Sequence, residues 1–160
     1  MAIDVQRFDI FIEGMTNYFE FVEGNSANFA KNMQLGTPYL LSPNEPVGMG
    51  YNGMIRISGD FKGCVLFCAD DIFLNALLPV LGEDDKSVEM LLDTVGEIAN
   101  MISGSAKEEL GGRYFVSVPF LSERPLNPEL FANHDKLYVL PFFWRDREAK
   151  LIMGFSTRHH

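Results

Sequence analysis

Residues 91–104 read Leu-Leu-Asp-Thr-Val-Gly-Glu-Ile-Ala-Asn-Met-Ile-Ser-Gly. The apolar residues of this stretch recur with the period of an α-helix, and they predict one long helix over residues 87–110. A helix of this kind turns a single apolar stripe toward the core. The predicted stripe consists of Val88, Leu91, Val95, Ile98, Ala99, Ile102 and Ala106.

The opposite side of the same helix carries Asp93, Glu97, Asn100 and Gly104, which we call the polar row. Gly96 lies at the margin of this row. A glycine in a helix interior costs about 1 kcal/mol relative to alanine. Lysine, glutamate or alanine would therefore make a more stable exposed face. The two glycines indicate that the backbone of another molecule approaches this helix closely.

The rest of the chain alternates helices and strands at irregular intervals. Further helices are predicted over residues 4–22 and 70–81, and strands over residues 37–41, 49–58, 61–69, 113–121, 137–144 and 149–155. Residues 23–35 contain many turn formers and fit a short strand as well as a loop, whereas residues 42–48 read as a loop. Gly111 and Gly112 end the long helix. No linker divides the chain, so we predict one domain over residues 1–160, of class α+β, with a mostly antiparallel sheet and about three helices.

Composition excludes several function classes. The chain has 160 residues, 47% of them hydrophobic, and a formal net charge of −9. A strong acidic excess argues against nucleic-acid and anionic-membrane partners. No apolar run reaches the 18 residues of a membrane span, and the first residues lack the pattern of a signal peptide. The expected location is the cytoplasm.

Other candidate sites give weaker signals. Cys64 and Cys68 would lie about 13 Å apart on one face of a strand, too far for a disulfide, and they read as buried thiols. Residues 48–53 match G-x-G-x-x-G, but a strand follows them where a dinucleotide site needs a helix. The histidines at positions 134, 159 and 160 read as surface residues and form no metal site. No motif for nucleophilic or metal-dependent hydrolysis is present.

Asp93, Glu97 and Asn100, written Asp-x3-Glu-x2-Asn, resemble the signature of the CheC/CheX family of chemotaxis phosphatases. In that family a proline follows the asparagine by roughly twenty residues, and here Pro119 follows Asn100 by 19. The order of elements is also similar over most of the chain, apart from residues 23–48. Glu13 and Asn17 of the first helix are spaced four apart instead of three. The resemblance therefore implies one site, as in the CheX branch, whose members are homodimers joined through their sheets.

The resemblance implies a phosphatase acting on the aspartyl phosphate of a response-regulator receiver domain. The Mg²⁺ would sit on the receiver, so the chain would need no cofactor or metal of its own. Asn100 would orient the attacking water, and Glu97 would pair with the active-site lysine of the receiver. The remaining contacts to the receiver would come from Asp93, Gly96, Met101, Gly104 and Pro119.

A second interpretation assigns the same fold to the chain but no catalytic activity. A non-catalytic module of the same family would bind a two-component or flagellar-switch protein through the same helix face. The two readings differ in one observable, because only a phosphatase shortens the lifetime of the phosphorylated receiver. An unrelated hydrolase would act on small phosphoesters alone, and nothing in the sequence supports that third possibility.

Overall fold

The computed structural model describes residues 5–24, 32–42, 44–132 and 136–155. Within these residues the chain forms three α-helices and eight strands. The helices are α1 (Val5–Val22), α2 (Asp71–Val80) and α3 (Val88–Leu110). The strands are β1 (Met33–Leu35), β2 (Tyr39–Leu40), β3 (Tyr51–Gly59), β4 (Gly63–Ala69), β5 (Tyr114–Val116), β6 (Phe120–Ser122), β7 (Leu137–Trp144) and β8 (Arg147–Phe155). The expectations for Asp4, for part of residues 23–35 and for the three histidines lie outside the described residues.

All eight strands belong to one antiparallel sheet in the order β1-β7-β8-β4-β3-β5, with β2 also paired to β7 and β6 also paired to β3. The predicted α+β class is confirmed. Strand β4 lies between β3 and β8 and is buried along its whole length. It reads as a continuous apolar run because both faces of the sheet are covered at its position.

The alternation of side chains sorts the sheet into two faces. The face that packs on the helices, here called the helix face, includes Ile55, Ile57, Val65, Phe67, Leu140, Phe142, Leu151 and Met153. The opposite face, here called the loop face, includes Met54, Cys64, Leu66, Cys68, Leu137, Val139 and Ile152, which are covered by Val47, Leu126 and Phe131. Helix α3 therefore lies over the middle of the sheet with one side turned outward.

Helix α3 begins and ends as the sequence indicates. The side chain of its N-cap, Ser87, accepts a hydrogen bond from the backbone N–H of Met90 at 3.2 Å, and Gly111 after its last residue has a φ of 63°. The predicted apolar stripe is buried from Leu91 to Ala106. Val88 is the exception: it is 44% exposed because it belongs to the first turn, before the helix passes over the core.

The single strand predicted over residues 113–121 is instead two strands separated by a bulge. Strands β5 and β6 both pair with β3, but three residues between them, 117–119, face only Ile55 and Arg56. One extra residue in one strand is a β-bulge. Pro119, which has no N–H for a ladder, occupies this break.

The last hairpin is tighter than predicted. Its turn consists of Arg145 and Asp146 alone, with φ values of 50° and 63°, and residues 147 and 148 already pair within β8. Two residues of positive φ match the right-handed twist of the strands they join. Arg145 is held there by Glu23 at the end of α1, which accepts a 3.2 Å hydrogen bond from the Nε of Arg145 and one of 2.7 Å from Trp144.

Candidate functional site

The polar row is exposed as predicted. Asp93, Glu97, Asn100 and Gly104 are all solvent-exposed on the outer side of α3. On the other side of α3, every residue of the apolar stripe from Leu91 onward points into the core. The row is therefore a continuous solvent-facing strip of two carboxylates and one carboxamide, mounted on a helix whose other side is fixed to the sheet.

The backbone of α3 lies directly on strand β3 at Gly53. A Cβ built on Gly53 would lie 2.6 Å from the carbonyl oxygen of Val95 and 2.7 Å from the nitrogen of Gly96. No real Cβ atom tolerates such distances to backbone atoms. A glycine at position 53 thus lets helix and sheet approach at the turn that precedes Asn100, and this contact sets the height of the polar row above the sheet.

Gly96 is buried between the helix and the bulged edge of the sheet. Its missing Cβ would lie 2.6 Å from Cδ2 of Leu121 and 3.2 Å from Cβ of Pro119. This differs from the expectation that a partner's backbone accounts for Gly96, because the chain itself fills that space. Pro119 is half-buried against Gly96, so it is a neighbour of the polar row.

Gly104 and Met101 lie on the exposed surface of α3. A Cβ on Gly104 would have no atom of the described residues within 4 Å, and the Met101 side chain is 54% exposed beside the row. Methionine is flexible and polarisable, so it adapts to the shape of a partner. These two positions leave room for another molecule at the C-terminal half of the row.

Tyr18 of α1 is half-buried and lies within electrostatic range of Glu97 in the row. Burial and, as a smaller contribution, the negative charge of Glu97 raise the pKa of Tyr18 to about 12. The phenol therefore stays protonated at neutral pH as a hydrogen-bond donor. The proximity of Tyr18 to the row depends on the register between α1 and α3, which cannot be predicted from a single sequence.

The two cysteines do not form a second site. Cys64 and Cys68 are free and fully buried on the loop face. Burial raises the pKa of each thiol to about 12, so neither forms a reactive thiolate at neutral pH. The predicted buried, unlinked thiols are confirmed.

The G-x-G-x-x-G match has a structural role. The buried Asn52 side chain accepts from the N–H of Met49 at 2.7 Å and donates to the carbonyl of Arg124 at 2.9 Å. It thereby ties the turn before β3 to the segment after β6. Tyr51, Asn52 and Gly53 already belong to β3, so no helix N-terminus is available to bind a phosphate.

No group of three or more His, Cys, Asp or Glu residues among the described positions has the arrangement of a metal site. No described helix has both the length and the apolar character needed to cross a membrane.

Fold and site together define an α+β protein that presents one acid–amide strip on a helix packed across an antiparallel sheet. The sequence matches the family model of the chemotaxis phosphatase CheX over residues 51–127. This segment contains the polar row together with Pro119. The resemblance to the CheC/CheX family is thereby confirmed, and the matching model is that of the CheX branch. No curated protein matches the sequence.

Solved structures share the fold over nearly the whole chain. A CheX from Desulfovibrio desulfuricans has a TM-score of 0.74 at 20% identity, covering 95% of this chain and 100% of its own. A CheC-like superfamily protein from Shewanella sp. PV-4 has a TM-score of 0.73 at 22% identity, covering 96% and 99%. The CheX–CheY–BeF3–Mg²⁺ complex from Borrelia burgdorferi contains a chain with a TM-score of 0.68 at 16% identity, covering 97% and 99%.

Proposed function

We propose that this protein accelerates hydrolysis of the aspartyl phosphate on a CheY-like receiver domain. The observation that carries the proposal is the exposed polar row, with Glu97 and Asn100 three residues apart on the solvent side of α3. Support also comes from the CheX family match, which spans the row, and from a similar fold in a CheX–CheY complex. Phosphoryl transfer depends mainly on positioning and charge stabilisation, so a helix face can complete a site that the partner largely contains.

Asn100 is the proposed catalytic residue. Its carboxamide both donates and accepts hydrogen bonds, so it can hold a water molecule in line with the phosphorus atom. A carboxamide remains neutral and does not repel the phosphoryl oxygens. The Mg²⁺ that neutralises those oxygens belongs to the receiver in this proposal, and the chain contributes no cofactor.

Glu97 is the proposed docking residue. One turn from Asn100 and exposed, its carboxylate can pair with the active-site lysine of the receiver and set the register of the two proteins. Asp93 extends the strip by one further turn. Met101 and Gly104 would contact the receiver directly. Pro119 and Gly96 would contribute indirectly, because the contact between them holds α3 against the bulge.

The test measures phosphate release from a phosphorylated receiver. Asn100→Ala should reduce kcat by about 100-fold or more, as the loss of one positioned hydrogen-bonding group does in other enzymes. Glu97→Ala should mainly raise the Kd for the receiver. Matched controls are Asn75→Ala, an exposed asparagine on α2, and Glu108→Ala, an exposed glutamate near the end of α3. Full activity of the Asn100 variant would refute the catalytic role, and binding without phosphate release by the wild type would favour the non-catalytic module.

A homodimer is the second part of the proposal. The edge of the sheet at β5 and β6 exposes Phe115, Val118 and Phe120, and Val118 is 84% exposed. Apolar side chains grouped along one edge of a sheet favour burial against another protein surface. Sedimentation equilibrium should give twice the mass of one chain, and a monomer at micromolar concentration would contradict this part.

A further inference from the structure

Helices α1 and α3 come close together at Gly14. A Cβ on Gly14 would lie 2.5 Å from Oγ of Ser105 and 3.3 Å from the carbonyl oxygen of Ile102. The missing side chain lets the two helices meet, so the side of α1 that carries Gly14 is the side turned toward α3. Met101 lies one turn before Ser105 on α3, and its exposed side chain therefore borders the same helix pair.

The two helices run in opposite directions. The ring of Phe19, further along α1 than Gly14, lies 6.1 Å from the ring of Phe67 in β4, measured between centroids. Phe67 pairs with Gly53, and Gly53 is the residue on which α3 rests at Val95. A step along α1 from Gly14 to Phe19 therefore corresponds to a step back along α3 toward Val95. The C-terminal end of α1 thus lies beside the first half of the polar row.

Phe21 is an exposed aromatic residue at this end of α1. It follows Gly14 by seven residues, which is close to two helical turns, so both lie on nearly the same side of α1, about 10 Å apart along the axis. Glu23, two residues further, points the other way and accepts a 2.7 Å hydrogen bond from Trp144. Phe21 is nevertheless 74% exposed. The groove between α1 and α3 is therefore closed at Gly14 and open at Phe21.

We propose that Phe21 is an apolar anchor for the receiver domain, beside the part of the polar row that carries Glu97. A standard interface buries about 800 Å² on each partner, a patch of about 16 Å in radius. The polar row of a single helix is too narrow for such a patch, and packed helices lie about 8 to 10 Å apart. A receiver centred on Asn100 therefore also covers Phe21.

The partner surface that fits is a cationic group next to an apolar patch. The cation meets the carboxylate of Glu97, and the apolar patch meets Phe21 on α1 and Met101 on α3. Aromatic side chains and methionine are enriched in the cores of protein interfaces. The identity of the partner rests on the proposed function, whereas the exposed aromatic side chain beside the row is a feature of this chain alone.

The first measurement is the affinity for a beryllofluoride-activated receiver. Phe21→Ala should weaken it about tenfold, with kcat for phosphate release unchanged because Asn100 is untouched. The midpoint of urea denaturation should also stay the same, since Phe21 is exposed. Leu130→Ala is the control: Leu130 is 44% exposed and adjoins Phe131 on the loop face, on the far side of the sheet. Unchanged affinity in Phe21→Ala, or an equal loss in the control, would overturn the proposal.

The second measurement reports burial directly. The one tryptophan of the chain, Trp144, is fully buried, so Phe21→Trp adds an exposed indole. Its emission should shift to shorter wavelength when the receiver binds, after subtraction of the wild-type signal with the same receiver, and Leu130→Trp should show no shift. Emission that is already at short wavelength in the free protein, as coverage by a second copy or by another part of the chain would cause, would overturn the proposal. So would the absence of a shift on binding.

Failure of the anchor differs from failure of the proposed function. If the wild type bound and dephosphorylated no receiver, the proposed function would be wrong and the anchor with it. If Asn100→Ala abolished phosphate release while Phe21→Ala bound the receiver normally, the anchor alone would be wrong.

Discussion

Two glycines on the same helix have opposite surroundings. Gly96 is buried, and the space of its missing side chain is occupied by Leu121 and Pro119. At Gly104, eight residues later, no atom from the described part of the chain lies within 4 Å of the corresponding position. At Gly96 the packing of the chain leaves no room for a side chain. At Gly104 the folded chain would accept a larger residue, so only something outside the described residues would give a reason for its absence.

The difference originates in the sheet below the helix. Gly53 allows α3 to lie directly on β3 at Val95 and Gly96. Pro119, in the bulge at residues 117–119, packs against the same turn of the helix. Farther along α3, the Cβ position of Gly104 has no atom of the described residues within 4 Å. The helix turn that carries Glu97 is therefore packed more closely against the sheet than the surface around Gly104.

The largest effect is expected at Gly53, which creates the close contact. Gly53→Ala places a Cβ 2.6 to 2.7 Å from three backbone atoms of Val95 and Gly96, and neither element has a flexible end that can move aside. Overpacking of this kind should cost about 3 kcal/mol of unfolding free energy. Urea denaturation measures it. A loss below about 0.5 kcal/mol, within the range of ordinary surface substitutions, would mean that helix and sheet are not so closely seated.

A smaller loss is expected at Gly96. In Gly96→Ala the shortest contact is with the end of the Leu121 side chain, which can rotate, and alanine improves helix propensity. The two effects partly cancel, so the variant should lose about 1 kcal/mol. In a Leu121→Ala background, where the 2.6 Å contact is absent, the same change should be neutral or stabilising. A loss of equal size in both backgrounds would assign the strain to Pro119.

The sequence contained most of the fold for a physical reason. Helix α3, the β3–β4 hairpin and α2 depend on local periodicity and caps, such as Ser87 for α3 and Asp70 for α2, and all three form within a few residues of their predicted bounds. The break between β5 and β6 depends instead on pairing with β3, across some sixty residues of chain. Local patterns do not encode such registers, and the predicted strand over residues 113–121 was therefore continuous.

The same distinction between local sequence pattern and long-range contact applies to the site. Glu97 and Asn100 could be placed on the exposed side of α3 from helical geometry alone. The reason for Gly96 and the neighbourhood of Tyr18 could not, because both arise where α3 meets another element. A glycine that faces the chain and a glycine that faces solvent look identical in a periodic pattern. Only the tertiary contacts separate the structural glycine from the one available to a partner.

The change in stability expected at Gly104 has the opposite sign, and it tests the comparison of the two glycines directly. Gly104→Ala adds a methyl group into open space at an exposed helix position, so it should stabilise the protein by about 1 kcal/mol, in contrast to Gly96→Ala. If the receiver lies close over this half of the row, the same methyl group should weaken its binding several-fold. Thermal unfolding and receiver titration on one variant give both values. Increased stability with unchanged affinity would remove Gly104 from the proposed interface and leave docking to Glu97 and its neighbours.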